Sequence, residues 1–209
     1  MKKKIAILGS TGSIGKSTLD VISKDKKNFD VVLLSANNNY KELISQAKKF
    51  KAKNIIIKNQ LFYKKVKKLL KKTKIRVFSG NIPLSSIISR KIDLTMSAIV
   101  GLAGLQPTVD AIKISKTVAL ANKETIICGW DILSKHIKKH KTRILPVDSE
   151  HFSIMELTKN IGDDEIEEII ITASGGPFLN MSKSKMNKAS PTQAVNHPNW
   201  KMGKKISID

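Results

Sequence analysis

The sequence predicts an α/β fold: a Rossmann-like doubly wound parallel sheet, followed by the start of a second, α+β domain. Three observations carry this. Short β-rich runs alternate with amphipathic helical stretches along the first two thirds of the chain. The runs are almost continuously apolar, as parallel strands covered on both faces require. A glycine-rich turn, GSTGSIG, follows the first run and opens a helix, which is the local order of a phosphate-binding βαβ unit.

In order, KIAIL (4–8) reads as a buried strand, with a helix from about Ile14 to Lys24. DVVLLSA (30–36) is the second strand and YKELISQAKKF (40–50) the second helix. NIIIK (54–58), the lysine-rich helix YKKVKKLLKKTK (63–74) and IRVFSG (75–80) follow. DLTMSAIVG (93–101), a helix after Pro107, KTVALAN (116–122), a helix through His140 and RILPVD (143–148) complete the run. Beyond Asp148 the texture changes. IEEIIITASGGPF (166–178) reads as one more strand and a Gly-Gly-Pro turn, and the rest is polar and irregular. The predicted domains are therefore 1–148 and 149–209, the second incomplete.

Composition excludes several classes. The single cysteine, Cys128, rules out an intrachain disulfide framework and a cysteine-based zinc finger. The net charge of +21 comes from 38 Lys+Arg against 17 Asp+Glu. Such a balance attracts polyanions, but the excess is almost all lysine spread over helices. No RNA-binding aromatic motif or zinc knuckle accompanies it, so no specific nucleic-acid partner is expected. The start, MKKKIAIL, is basic and then apolar, but the apolar run stops at Gly9, too short for a signal-peptide core. No stretch approaches a membrane span. The expectation is a cytoplasmic protein without a membrane partner.

The glycine turn can be read in two ways. A Walker A loop needs G-x-x-x-x-G-K-[ST]. Gly15-Lys16-Ser17 supplies the ending, but the first glycine would have to stand at position 10, which is Ser10. Gly9, Gly12 and Gly15 instead form G-x-x-G-x-x-G, a variant of the dinucleotide fingerprint. The pyrophosphate charge is favoured at a helix N-terminus, and Thr11, Ser13 and Ile14 supply nearby donors. A tight structural turn would use the same glycines. The second strand ends in Ser35-Ala36-Asn37-Asn38-Asn39, with no acid before Glu42. A ribose 2′-phosphate would meet no repulsion there, which favours NADPH over NADH.

LPVDSEH (145–151) puts Asp148 and Glu150 two residues apart after a strand. In an extended segment they would face the same side, and converging carboxylates need a cation or proton between them. Oxygen ligands suit Mg²⁺ or Mn²⁺. The alternative is a loop acid with Asp148 or Ser149 capping a helix. Asn122 and Lys123 end another strand and could reach a ligand at the same edge, or could be a helix cap and an exposed lysine. Ser174 and the N–H groups around Gly175-Gly176 suit an anion or a plain turn. His197, Trp200 and Met202 lie in HPNWKMG, where a tryptophan amid polar sequence suits a lid.

Together, ILGSTGSIGKSTLDVI, AIVGLAGLQPT, LANKE, LPVDSEH, SGGPF and HPNWKMGKKISID closely resemble the 1-deoxy-D-xylulose 5-phosphate reductoisomerase family, in the family's order. The resemblance covers the whole chain and about the N-terminal half of a typical member. It implies an NADPH-dependent oxidoreductase of the non-mevalonate route to isoprenoid precursors. That enzyme isomerises and reduces 1-deoxy-D-xylulose 5-phosphate to 2-C-methyl-D-erythritol 4-phosphate with Mn²⁺ or Mg²⁺, Co²⁺ also being admissible. By the same resemblance Gly9, Thr11, Gly12, Ser13 and Ile14 bind the pyrophosphate. Asn37, Asn38 and Asn39 meet the adenosine end, Asn122 lies near the ribose, and Met202 lies near the nicotinamide. Lys123, Ser149, Glu150, Ser174, His197 and Trp200 contact the sugar phosphate substrate. Asp148 and Glu150 are metal ligands, and with Lys123 they form the catalytic group.

Residues 149–209 then begin the catalytic domain, and the full-length family is expected to be a homodimer. Family members often carry a glycine and a basic residue where this chain has Asn37 and Asn38; the missing base weakens tight 2′-phosphate binding, with Lys41 the nearby cation. The family sequence continues past ISID with further phosphate contacts and a third carboxylate ligand, so weak metal binding and little activity are expected of these 209 residues alone. Three other readings remain: a non-catalytic NADPH-binding remnant, a basic nucleic-acid binder, and a P-loop kinase.

Overall fold

A computed structural model describes residues 1–199. Two compact units divide the chain, Met1–Leu157 and a second from Thr158 onward. The sequence places the boundary at Asp148. The difference is the segment 149–157, which clusters with the first unit.

The first unit is a seven-stranded parallel sheet in the order β4-β3-β2-β1-β5-β6-β7. In chain order the elements are β1 (Lys3–Leu8), α1 (Ser13–Lys24), β2 (Phe29–Ala36), α2 (Tyr40–Lys49), β3 (Asn54–Ile57), α3 (Tyr63–Leu69) and β4 (Arg76–Ser79). The chain then returns to the other side of β1 with β5 (Ile92–Ser97), α4 (Leu105–Ile114), β6 (Ser115–Leu120), α5 (Lys123–His140) and β7 (Arg143–Pro146). The α/β prediction is borne out strand by strand.

Both faces of the sheet are covered, and β1 shows why its run is apolar without alternation. Ile5 and Ile7 join a cluster with Leu19 and Ile22 of α1 and Leu43 and Ala47 of α2. Ala6 and Leu8 point the other way, into a cluster with Val109 and Ile112 of α4 and Leu133 of α5. The winding direction reverses between β1 and β5, so their carboxyl ends diverge into the crevice where such sheets take ligands.

α4 begins at Leu105, two residues before the proline that the sequence reading used as its start. The first helical N–H groups have no partner within the helix, so Pro107 is tolerated there.

At the opposite edge of the sheet Asp93 joins three strands. Its Oδ2 accepts the Lys4 backbone N–H at 2.9 Å, and its Oδ1 accepts Lys116 Nζ at 2.8 Å. The bond from the Lys116 ammonium, then that from the Lys4 amide, hold the carboxyl below its ordinary value. A group so depressed contributes stability that is whole above the unfolded pKa of about 3.9 and fades as pH falls through the lower folded value. Asp93→Asn is therefore expected to destabilise the chain at pH 7, by less than about 1 kcal/mol because water screens the pair. The gap to wild type should close in urea titrations run below that lower value.

The second unit corrects the sequence reading twice. Residues 166–175 form no strand; Ile169, Ile170 and Ile171 are exposed. A strand needs a pairing partner, and none of the described residues supplies one. The segment read as irregular holds two short helices, α7 (Lys183–Met186) and α8 (Pro191–Ala194). α8 is fixed by a capping box in which Ser190 Oγ accepts the Gln193 N–H at 3.3 Å and Gln193 Oε1 accepts the Ser190 N–H at 2.8 Å. Between β7 and this unit runs α6 (Ser149–Thr158).

Candidate dinucleotide and metal site

The turn after β1 has the geometry its glycines demand. Gly9 has φ +81°, and a Cβ there would lie 2.7 Å from the Ala98 carbonyl oxygen after β5. At Gly15 the obstacle is the turn itself: a Cβ would stand 2.4 Å from Gly9 O and 2.5 Å from Ser10 Cα. The loop is thus pressed between the end of β5 and the first turn of α1. Gly12 is the α1 N-cap and makes no side-chain cap. The first-turn N–H groups at Ser13 and Ile14 therefore face outward beside exposed backbone. Thr11 is half-buried beside them.

Two residues that the sequence reading passed over clamp this loop. Ser35, at the end of β2, accepts the Gly9 N–H on its Oγ (3.1 Å) and the Ser10 N–H on its carbonyl (2.8 Å). Gln46 of α2 donates Nε2–H to the Ser10 carbonyl at 2.9 Å. Both are buried. The signal was present: Ser35 is a polar residue in an apolar strand, and Gln46 a polar residue on the buried stripe of an amphipathic helix.

Lys16, which gave the turn its Walker-like ending, bonds Glu42 Oε1 at 3.0 Å. Glu42 also accepts Asn39 Nδ2–H at 2.8 Å on Oε2, while Asn39 Oδ1 caps α2 by accepting the Glu42 N–H at 3.3 Å. The first acid after β2 is thus already engaged. Asn37 and Asn38 are exposed beside it. Asn38 Oδ1 accepts Asn59 Nδ2–H at 2.8 Å, and the Asn37 carbonyl accepts the Asn59 backbone N–H at 3.2 Å.

At the ends of β5 and β6, Asn122 is 3% exposed. Its Nδ2 donates to Ile99 O at 2.5 Å and Gly101 O at 2.8 Å, and its Oδ1 caps α5 by accepting the Thr125 N–H at 3.2 Å. The side chain is spent inside the protein, where it shapes the loop between β5 and α4. Lys123 follows as the exposed first residue of α5.

After β7 the structure changes the carboxylate argument. Ser149 starts α6, so Asp148 and Glu150 are not residues i and i+2 of an extended segment. Asp148 is the half-buried cap, and Glu150 is exposed in the first turn. Two positions along a helix differ by about 200°, so strand alternation does not align them; nearness to one helix start does. Asp148 Oδ1 accepts the His151 N–H at 3.0 Å and lies 2.6 Å from His151 Nδ1. Burial pushes the Asp148 carboxyl up, but the hydrogen bonds from the His151 amide and ring outweigh it and hold the carboxyl below its ordinary value. Ser149, the first residue of α6, is exposed. Among the described residues no three His, Cys, Asp or Glu side chains gather to hold an ion.

In the second unit Ser174 and His197, 23 residues apart, are brought together with Oγ···Nε2 at 2.8 Å. His197 Nδ1 accepts the Asn199 N–H at 3.0 Å, so the ring proton sits on Nε2 and is donated to Ser174. Ser174 Oγ also accepts the Gly176 N–H at 3.2 Å. With both approaches taken by donors, the hydroxyl proton is left to point at an acceptor. Trp200 and Met202 lie outside the described residues. An open hollow of about 400 Å³ lined by Leu102, Leu105, Val109 and Ile132 is bordered by none of these predicted residues.

Comparison with known proteins shows the family and the fold. The model of the 1-deoxy-D-xylulose 5-phosphate reductoisomerase family matches residues 5–129, and that of the same enzyme's C-terminal domain matches 144–209. The chain is 53% identical over 209 residues to 1-deoxy-D-xylulose 5-phosphate reductoisomerase of Pelagibacter ubique, covering 99% of this chain and 54% of that protein. It superposes with a TM-score of 0.87 on the Zymomonas mobilis enzyme solved in complex with NADPH, at 39% identity, covering 95% of this chain and 52% of that one. A DOX-P reductoisomerase complex with NADPH, fosmidomycin and magnesium gives the same TM-score at 36% identity, covering 99% and 54%. The chain spans about half the length of the relatives it matches.

Proposed function

The chain belongs to the 1-deoxy-D-xylulose 5-phosphate reductoisomerase family, and from that premise we propose that it is the dinucleotide-binding half of such an enzyme, with the beginning of its catalytic domain. The activity is the NADPH- and divalent-metal-dependent isomerisation and reduction of 1-deoxy-D-xylulose 5-phosphate to 2-C-methyl-D-erythritol 4-phosphate. The observation that carries the reading is the Gly9–Gly15 turn, clamped by Ser35 and Gln46 at the point where the sheet reverses direction. Residues 1–148 hold the dinucleotide, and 149–209 begin the substrate and metal domain.

When bound, NADPH supplies a hydride and Mg²⁺ or Mn²⁺ a Lewis acid. The chain's own residues supply the rest. Gly9, Thr11, Gly12, Ser13 and Ile14 present backbone and hydroxyl donors to the pyrophosphate at the α1 N-terminus. Asn37, Asn38 and Asn39 line the adenosine end, and Asn122 sets the ribose side by holding the Ile99 and Gly101 carbonyls. Asp148 and Glu150 offer hard oxygen ligands of the type these cations take. Lys123 and Ser149 sit on helix starts where they meet the substrate, with Lys123 and Glu150 steering its charge and protons. Ser174, kept a donor by His197, binds the substrate phosphate. By the family resemblance Trp200 would contact the substrate and Met202 the nicotinamide. Cytoplasmic location and homodimerisation complete the reading; among the described residues no helix is long and apolar enough to cross a membrane.

A second reading, a non-catalytic NADPH-binding module, is favoured by one observation: the two carboxylates have no third companion among the described residues. Turnover separates the two. With substrate and Mn²⁺, the 209 residues alone should oxidise NADPH at a trace rate. The same residues fused to the remainder of the Pelagibacter relative should do so robustly. A folded fusion that binds NADPH yet stays inactive would leave only the binding module.

A further inference from the structure

Lys58 is an exposed cation directly after β3, at the carboxyl edge of the sheet. The end of β2, where family resemblance leads one to look for a base, carries only asparagines at 37, 38 and 39. The backbone N–H of Lys58 donates to Ala36 O at 2.8 Å, which fixes it at the carboxyl edge, one strand over from those asparagines. Adjacent strands lie about 4.8 Å apart, within reach of a flexible four-carbon lysine stem. Its neighbour Asn59 ties this edge to both Asn37 and Asn38.

Two of the other charges nearby are already engaged. Glu42, the first acid after β2, is bonded by Lys16 and Asn39 and so is screened from a bound phosphate. Lys65 is taken up by Tyr40, over whose ring its Nζ lies at 5.0 Å. Lys41, exposed in the first turn of α2, is the other cation at this edge and is the comparison in the test. Lys58 is exposed at the strand ends themselves.

We propose that Lys58 is the residue that selects a 2′-phosphorylated dinucleotide, replacing from β3 the base absent from the end of β2. This rests on the NADPH reading of the preceding subsection. A charge-assisted bond to phosphate from one lysine corresponds to about a tenfold preference, and one made at an exposed edge weakens with added salt.

The test titrates NADPH and NADH separately into the 209-residue chain and reads nicotinamide fluorescence. Lys58→Gln should weaken NADPH about tenfold and leave NADH within twofold of wild type. Lys58→Arg should keep most of the preference, Lys58→Glu should reverse it, and Lys41→Gln should leave the ratio unchanged. A Lys58→Gln chain with the wild-type NADPH/NADH ratio would overturn the proposal, as would a ratio that follows Lys41 instead. Both results would leave the NADPH reading standing. A wild-type chain that binds neither dinucleotide defeats the reading itself and the proposal with it.

Discussion

Gly15→Ala should cost the chain most of its dinucleotide affinity while leaving the sheet folded. The added methyl would sit 2.4 Å from Gly9 O and 2.5 Å from Ser10 Cα, both backbone atoms of the turn. Neither can swing aside as a side chain would. Either α1 moves off the turn or the turn opens, and forced repacking of this kind costs about 1–3 kcal/mol, which is roughly a 5- to 150-fold loss in binding. Gly12→Ala separates fold from binding. Its Cβ would meet no protein atom closer than Gly9 O at 3.4 Å, so the turn should stay as it is, while the methyl would stand where the pyrophosphate approaches the backbone and should weaken NADPH. Fluorescence titration of NADPH with a thermal melt of each variant checks this. Wild-type NADPH affinity in Gly15→Ala would mean that the close contact at this glycine has been misread.

The second large effect is expected at the start of α6, where one carboxylate serves two ends. Asp148→Ala removes the cap that accepts the His151 N–H and should cost about 0.5–2 kcal/mol of stability. It should also abolish Mn²⁺ binding by the chain, which two carboxylates alone make weak. Glu150→Gln should weaken Mn²⁺ about as much and leave the melting temperature unchanged, because Glu150 is exposed and caps nothing in the structure. Electron paramagnetic resonance of free Mn²⁺ and calorimetric melting read the two effects separately. If Asp148→Ala melts lower but binds Mn²⁺ as wild type does, the carboxylate is a helix cap and no more.

What the sequence disclosed and what it hid divide along the range of the interactions involved. β1 was legible because Ile5, Ala6, Ile7 and Leu8 are all buried, two to each face, and only a covered parallel strand needs that. The glycine turn was legible because a positive φ at Gly9 and close contact at Gly15 leave no other residue type available. The clamp was not, since Ser35 and Gln46 meet Ser10 across 25 and 36 residues, and no local pattern reports such a bond. The apolar run from Ile169 to Ile171 looked like a strand because β propensity is local, whereas pairing is not. The carboxylates were found for the wrong geometric reason: a strand was extended through Asp148, while Asp148 itself ends the strand by starting a helix. Ser174 and His197 were singled out separately, and only folding shows that one sets the proton of the other.

The central claim is that this turn holds the pyrophosphate of NADPH and not the phosphates of a nucleoside triphosphate. Calorimetric titration of the 209-residue chain with NADPH, and in parallel with Mg²⁺-ATP, tests it most directly. The structure predicts one saturable site for NADPH, lost in Gly15→Ala, and no heat from Mg²⁺-ATP. Saturable binding of Mg²⁺-ATP in the absence of NADPH binding would contradict it and return Lys16 to a phosphate.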